Sequence, residues 1–123
     1  MKRWVSLVVF AILFLILGMV AGAFLVSANS PEINATVVEV KNVSNLTIKR
    51  LVLTHEHGTI EINNLTPKQT QTLAFFPGGE DTYLLKAYFE DGRIIEGGGG
   101  YVEPGYAMRE MISASKIDTH YGL

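Results

Sequence analysis

From residue 36 onward, apolar and polar positions alternate in short stretches separated by turn residues. Period two marks a half-buried strand. Residues 36–41 alternate, and Val38 and Val40 are predicted to face inward. Residues 42–45 carry turn chemistry. Residues 46–54 are apolar and β-branched, but Lys49-Arg50 interrupts them, which predicts a bulge or an edge position. A turn at 55–58 precedes a short strand at 59–62, and the connection at 63–68 contains Pro67. Residues 70–76 put Leu73 and Phe75 on one face before Pro77-Gly78-Gly79 breaks the run.

Residues 82–90 and 93–96 flank Asp91-Gly92, a pair suited to a two-residue type I′ hairpin that sets Phe89 opposite Ile94 and Tyr88 opposite Ile95. The four glycines at 97–100 interrupt the second strand, Tyr101-Val102 continues it briefly, and Pro104-Gly105 turns again. Residues 107–117 read as a last strand with Tyr106, Met108 and Ile112 inward, although Met108, Met111 and Ile112 also fit helical spacing. Residues 118–123 read as a C-terminal tail. The pattern predicts an all-β fold, a small antiparallel sandwich of seven to eight strands over residues 36–117.

The first 28 residues follow a different rule. Between Trp4 and Val26, only Ser6, Gly18 and Gly22 fall outside the apolar set. About 20 apolar residues at 1.5 Å each span a hydrocarbon core of about 30 Å. Lys2 and Arg3 precede the run, which predicts a cytoplasmic N-terminus and an exported C-terminal part. The segment reads either as a single transmembrane anchor over residues 4–26 or as a cleaved signal, with Ala21-Gly22-Ala23 and Val26-Ser27-Ala28 as candidate cleavage sites. Gly18 and Gly22 fit the small-residue spacing that brings two membrane helices together as a homodimer. Residues 29–35, with Pro31, read as a linker.

Composition narrows the chemistry. The chain has no cysteine, so it has no disulfide, thiol nucleophile or lipid-modified cysteine. Beyond Arg3, 8 basic and 12 acidic residues give a net charge of −4 with neutral histidines, and no basic patch points to nucleic acid. There is no G-x-S-x-G elbow and no HExxH, and a Ser-His-Asp set is available only from Ser113 or Ser115, Asp118 and His120 near the C-terminus. These features predict a protein without catalysis and without a cofactor.

Four groups of residues carry candidate chemistry. His55 and His57 in His55-Glu56-His57 point to one side of an extended backbone and could hold copper or zinc, with Glu56, His120, Met108 or Met111 as a third ligand. The glycine run lacks the lysine and helix start of a phosphate loop, and better fits a bulge or a close backbone approach. Tyr101, Glu103, Pro104 and Tyr106 form a candidate interaction loop, because tyrosines give large amphipathic contact area at low entropic cost. Tyrosine packing at a sandwich corner is the alternative. Asn-x-Ser/Thr triplets begin at Asn34, Asn42, Asn45 and Asn64, and turn chemistry followed by strand-favouring threonine accounts for them without a glycan.

Val40-Lys41-Asn42-Val43-Ser44 with Ile48, followed by Ile62, Leu65 and Pro67, resembles the opening strands of immunoglobulin-like modules in exported bacterial proteins, such as CARDB-type adhesion domains. Phe76-Pro77-Gly78-Gly79-Glu80, Phe89, Asp91-Gly92-Arg93 and the stretch from Glu96 to Tyr106 are similar to short bacterial membrane-anchored proteins of unassigned function. The similarity spans residues 36–117 and brings no catalytic residue with it. It implies an immunoglobulin-like sandwich anchored by one pass in the bacterial inner membrane, with the domain periplasmic or extracellular. The expected function is protein–protein interaction with an envelope partner. The alternative is a periplasmic copper or zinc binding protein using His55 and His57.

Overall fold

A computed structural model describes residues 34–123 and, ahead of them, Ile12 alone. The anchor or signal segment, the Gly18/Gly22 pair and the linker as far as Ile33 therefore lie outside the described residues. Among the described residues, no helix is long and apolar enough to cross a membrane.

Eight strands follow one another: β1 (Thr36–Asn42), β2 (Ile48–His55), β3 (Gly58–Leu65), β4 (Thr70–Phe75), β5 (Asp81–Phe89), β6 (Ile94–Val102), β7 (Ala107–Ile112) and β8 (Ile117–Tyr121). They form two four-stranded sheets, ordered β4-β1-β7-β8 and β3-β2-β5-β6. The alternating positions face each other across the gap, with Val38, Val40, Leu73, Phe75, Met108 and Ile112 from the first sheet. The second sheet contributes Leu51, Leu53, Tyr83, Leu85, Ala87 and Phe89. Each large aliphatic side chain fully withdrawn from water contributes about 1.5–3 kcal/mol, and a chain without disulfides depends on that core.

The fold is an all-β sandwich, as the alternation predicted, with four differences of detail. Not every pairing is antiparallel: β1 and β7 run parallel, Val38 beside Met108 and Val40 beside Glu110. A parallel pair needs a long crossover, and the 64 residues from Val43 to Tyr106 supply it.

Next, the hairpin at Asp91-Gly92 is not a two-residue turn. The Gly92 N–H donates to Phe89 O at 3.0 Å, and the Phe89 N–H donates to Arg93 O at 2.8 Å. Gly92 supplies the one positive φ of the loop, 85°. A three-residue loop closed by a left-handed glycine shifts the register by one, so Tyr88 faces Ile94 and Ala87 faces Ile95.

The glycine run does not interrupt β6, which continues through it to Val102 with a register shift against β5 between Tyr83 and Leu85. Finally, the sandwich does not end at Ile117. Ser113 closes a turn, its N–H donating to Lys116 O at 2.9 Å. The chain then returns as β8, pairing Met108 with Tyr121 and Ile112 with Ile117, so most of the expected tail is a strand. The same turn ends β7 at Ile112, five residues short of the expected strand.

Lys49-Arg50 marks a bulge rather than an edge, since β2 has a neighbour on both sides and shifts register against β5 between Ile48 and Arg50. The inward residues Ile48 and Leu51 are three apart, as are Ile62 and Leu65 on β3, where Asn64 takes a left-handed φ of 56°. The two irregularities match, which keeps β2 and β3 in register through the bend.

Candidate functional site

One end of the sandwich gathers most of the residues singled out from the sequence. At this end the described chain begins, β2 reaches His55, β4 reaches Phe75, β5 starts at Asp81 and β6 finishes at Val102. Two contacts across the sheets bring these strand ends together. The His55 ring stacks on Phe75 with centroids 4.4 Å apart, and Thr36 Oγ1 donates to Glu103 O at 2.9 Å.

The loop after β6 is held at several points. The Tyr106 N–H donates back to Glu103 O at 3.1 Å, and the Val37 N–H donates to Tyr106 O at 2.8 Å. The Tyr101 hydroxyl donates to the Glu103 carboxylate, and the Tyr101 and Tyr106 rings meet edge to face at 6.2 Å. The hydrogen bond to Glu103 raises the pKa of the Tyr101 phenol, helped by partial desolvation and by the charges of Glu103 and Glu80. The two tyrosines have different roles: Tyr106 packs against the core, while Tyr101 is 40% exposed. Pro104 is exposed and Glu103 half-buried. Phe76, just past β4, is 72% exposed.

Beside Tyr101 lies an open cleft of about 430 Å³ lined by Glu56, Glu80, Asp81, Thr82 and Tyr101. Three carboxylates and one phenol give it an acidic character. Asp81 is buried at its inner wall, and its Oδ1 accepts the Thr82 N–H at 2.7 Å and the Glu56 N–H at 3.2 Å. Its Oδ2 is buried without a hydrogen-bond partner and lies 3.5 Å from His55 Nδ1. That nitrogen also receives the His57 N–H at 3.4 Å, and the two imidazole rings stand 6.4 Å apart.

The other ligands considered for His55 and His57 are elsewhere. Met108 is fully buried in the core, while Met111 and His120 line a separate cavity of about 310 Å³ with Arg109 and Tyr121. Among the described residues, no group of three or more histidines and acidic residues is close enough to hold a metal ion.

A second cluster was not foreseen from the sequence. Glu110, on β7, is fully buried, and none of the ion pairs among the described residues involves it. Its Oε1 accepts the Tyr83 hydroxyl from β5 at 2.5 Å and the Gly99 N–H from β6 at 2.7 Å. Its Oε2 accepts Thr119 Oγ1 from β8 at 2.8 Å. A buried carboxylate without a cation persists only where donors replace water, and three donors from three strands do so here.

The glycine run makes this arrangement possible. Gly99 has φ of 74°, and a Cβ there would fall 1.8 Å from the Tyr83 carbonyl oxygen. Burial raises the Tyr83 pKa, and the hydrogen bond to Glu110 and its charge raise it further. The sequence shows a glycine run and an acidic residue on an alternating strand, but nothing local joins them.

No family model and no curated protein matches the chain. Among solved structures, the NMR structure of a protein from Eubacterium rectale is similar, with a TM-score of 0.59 at 14% sequence identity. The match covers 76% of this chain and 95% of the other. At that identity the similarity concerns the fold alone.

Proposed function

We propose that the chain is a membrane-tethered envelope protein whose sandwich is immunoglobulin-like and acts by protein–protein contact, without catalysis, through the loop of Tyr101, Glu103, Pro104 and Tyr106. The observation that carries this reading is the order built into that loop. Its backbone is tied to β1 at Thr36 and Val37, Tyr106 is packed beneath it, and Tyr101 stays exposed beside an acidic cleft. A rigid aromatic platform loses little freedom on binding, so more of its contact energy appears as affinity. The acidic cleft favours a partner that presents a basic side chain next to an apolar one. The immunoglobulin-like reading draws support from a chain that passes between the two sheets four times. The tether rests on residues 4–26 with Lys2 and Arg3 before them. Single-pass placement in the bacterial inner membrane, with the domain periplasmic or extracellular, follows from that tether and the resemblance.

Co-purification of the full-length chain in mild detergent tests the reading. Tyr101→Ser combined with Pro104→Ala is expected to lose a protein that the parent chain retains, with the circular dichroism of the sandwich unchanged. A co-purifying set identical for parent and variant contradicts it.

The orphaned Asp81 Oδ2 favours a second reading, periplasmic copper or zinc binding at His55 and His57. The oxygen faces His55 Nδ1 at a spacing that two ligands of one tetrahedral ion can share. Calorimetric titration with Cu²⁺ and Zn²⁺ separates the readings: unchanged affinity in His55→Ala/His57→Ala removes the metal site.

A further inference from the structure

Four of the six asparagines in the chain begin an Asn-x-Ser/Thr triplet. Serine and threonine together make up 15 of 123 residues, so chance would put one two places after fewer than one of six asparagines. The structure separates the four by what their side chains do.

Asn42 is fully buried. Its Nδ2 donates to Leu46 O at 2.7 Å and to Leu65 O at 2.9 Å, while its Oδ1 accepts the Ser44 N–H at 3.0 Å and Ser44 Oγ at 2.6 Å. That uses the full hydrogen-bonding capacity of the amide, and Ser44 is there to complete it. Asn64 holds the left-handed φ of 56° that asparagine tolerates, Thr66 Oγ1 is engaged with Gln69 Oε1, and Pro67 follows. Thr36, which completes the triplet at Asn34, is fully buried and donates Oγ1 to Glu103 O at 2.9 Å. Folding explains these three triplets.

Folding leaves the fourth unexplained. Asn45 is exposed, and its side-chain amide has no hydrogen bond among the described residues. It sits in the turn between β1 and β2, with Thr47 two residues on. This is irregular backbone, where a transferase can reach the amide and a bulky substituent displaces nothing.

We propose that Asn45 is N-glycosylated and that Asn34, Asn42 and Asn64 are not. The proposal rests on the exported location given above, because glycan transfer of this kind takes place on exported chains. The donor is a lipid-linked oligosaccharide. The amide Nδ2 attacks the anomeric carbon of the sugar, a C–N bond forms, and the C–O bond to the carrier phosphate breaks. The amide gives up one proton and the carrier leaves as its phosphate. A glycan on Asn45 sits at the end of the sandwich opposite Tyr101, so it leaves the contact loop uncovered.

The test is glycopeptide mass spectrometry on the full-length protein purified from its own cells, using a fragmentation method that localises the modified asparagine, with protease accessibility of the same cells in parallel. The expected result is sugar mass on Asn45, bare Asn34, Asn42 and Asn64, loss from Asn45 in Thr47→Ala and retention in Thr47→Ser. Exported protein bare at Asn45 overturns the proposal and leaves the location standing. Sugar on Asn42 also overturns it. A protein that is not exported overturns the proposal together with the location.

Discussion

At the scale of single residues, Glu110 and Gly99 hold the sandwich to one geometry. A Cβ at Gly99 cannot coexist with the Tyr83 carbonyl, and L residues avoid its φ of 74°. Gly99→Ala is expected to cost at least about 3 kcal/mol, a large part of the 5–15 kcal/mol typical of a domain, and denaturant titration measures it. Alanine at Gly79, where a φ of 138° strains an L residue but nothing lies within 4 Å of a Cβ, is expected to cost less.

Tyr83 makes a prediction about pH. Its folded pKa lies above the ordinary value of 10.0, so its contribution to stability is complete below pH 10 and is lost as pH rises toward the folded value. Unfolding midpoints measured from about pH 8 to 11 should fall on the alkaline side for the parent chain. Tyr83→Phe should start lower, by about 1–3 kcal/mol for the Glu110 oxygen left short of a donor, and should decline less steeply. A parallel decline in both would remove Tyr83 as the cause.

At the scale of elements, legibility followed burial. Strands with one face in the core showed themselves by alternation: β1 through Val38 and Val40, β4 through Leu73 and Phe75, β5 through Tyr83, Leu85 and Ala87. No residue of β8 is fully buried, so Ile117–Tyr121 carries no alternation to read. The hairpin register was missed for a local reason, because Asp-Gly serves both a two-residue turn and a three-residue loop whose last residue is left-handed. The glycine run looked like a break because its partner, Glu110, lies on a different strand 11 positions away. A chain truncated after Lys116 tests the status of β8. It loses the Thr119 bond to Glu110 and the cover that Ile117 gives the core, so collapsed near-UV dichroism and poor amide dispersion are expected. A native spectrum would make residues 118–123 the tail that the sequence pattern predicted.

At the scale of the molecule, the two ends of the sandwich differ. One carries turns and an asparagine free to bear a glycan. The other carries the exposed aromatics, the acidic cleft and the histidine pair around Asp81. Of that second end, the sequence made legible the residues of the Tyr101–Tyr106 loop and the paired histidines. It did not show that Tyr106 is packed while Tyr101 is free, nor that Asp81 lies beneath His55, since both depend on which strands end together.

The central claim is contact through that loop, and a photo-crosslinking residue placed at Tyr101 of the full-length chain in its own cells tests it most directly, with a second placed at Lys49 near the opposite end as reference. Contact through the loop gives one discrete adduct from position 101 that is absent from position 49. No adduct from position 101, or the same adducts from both, would contradict it.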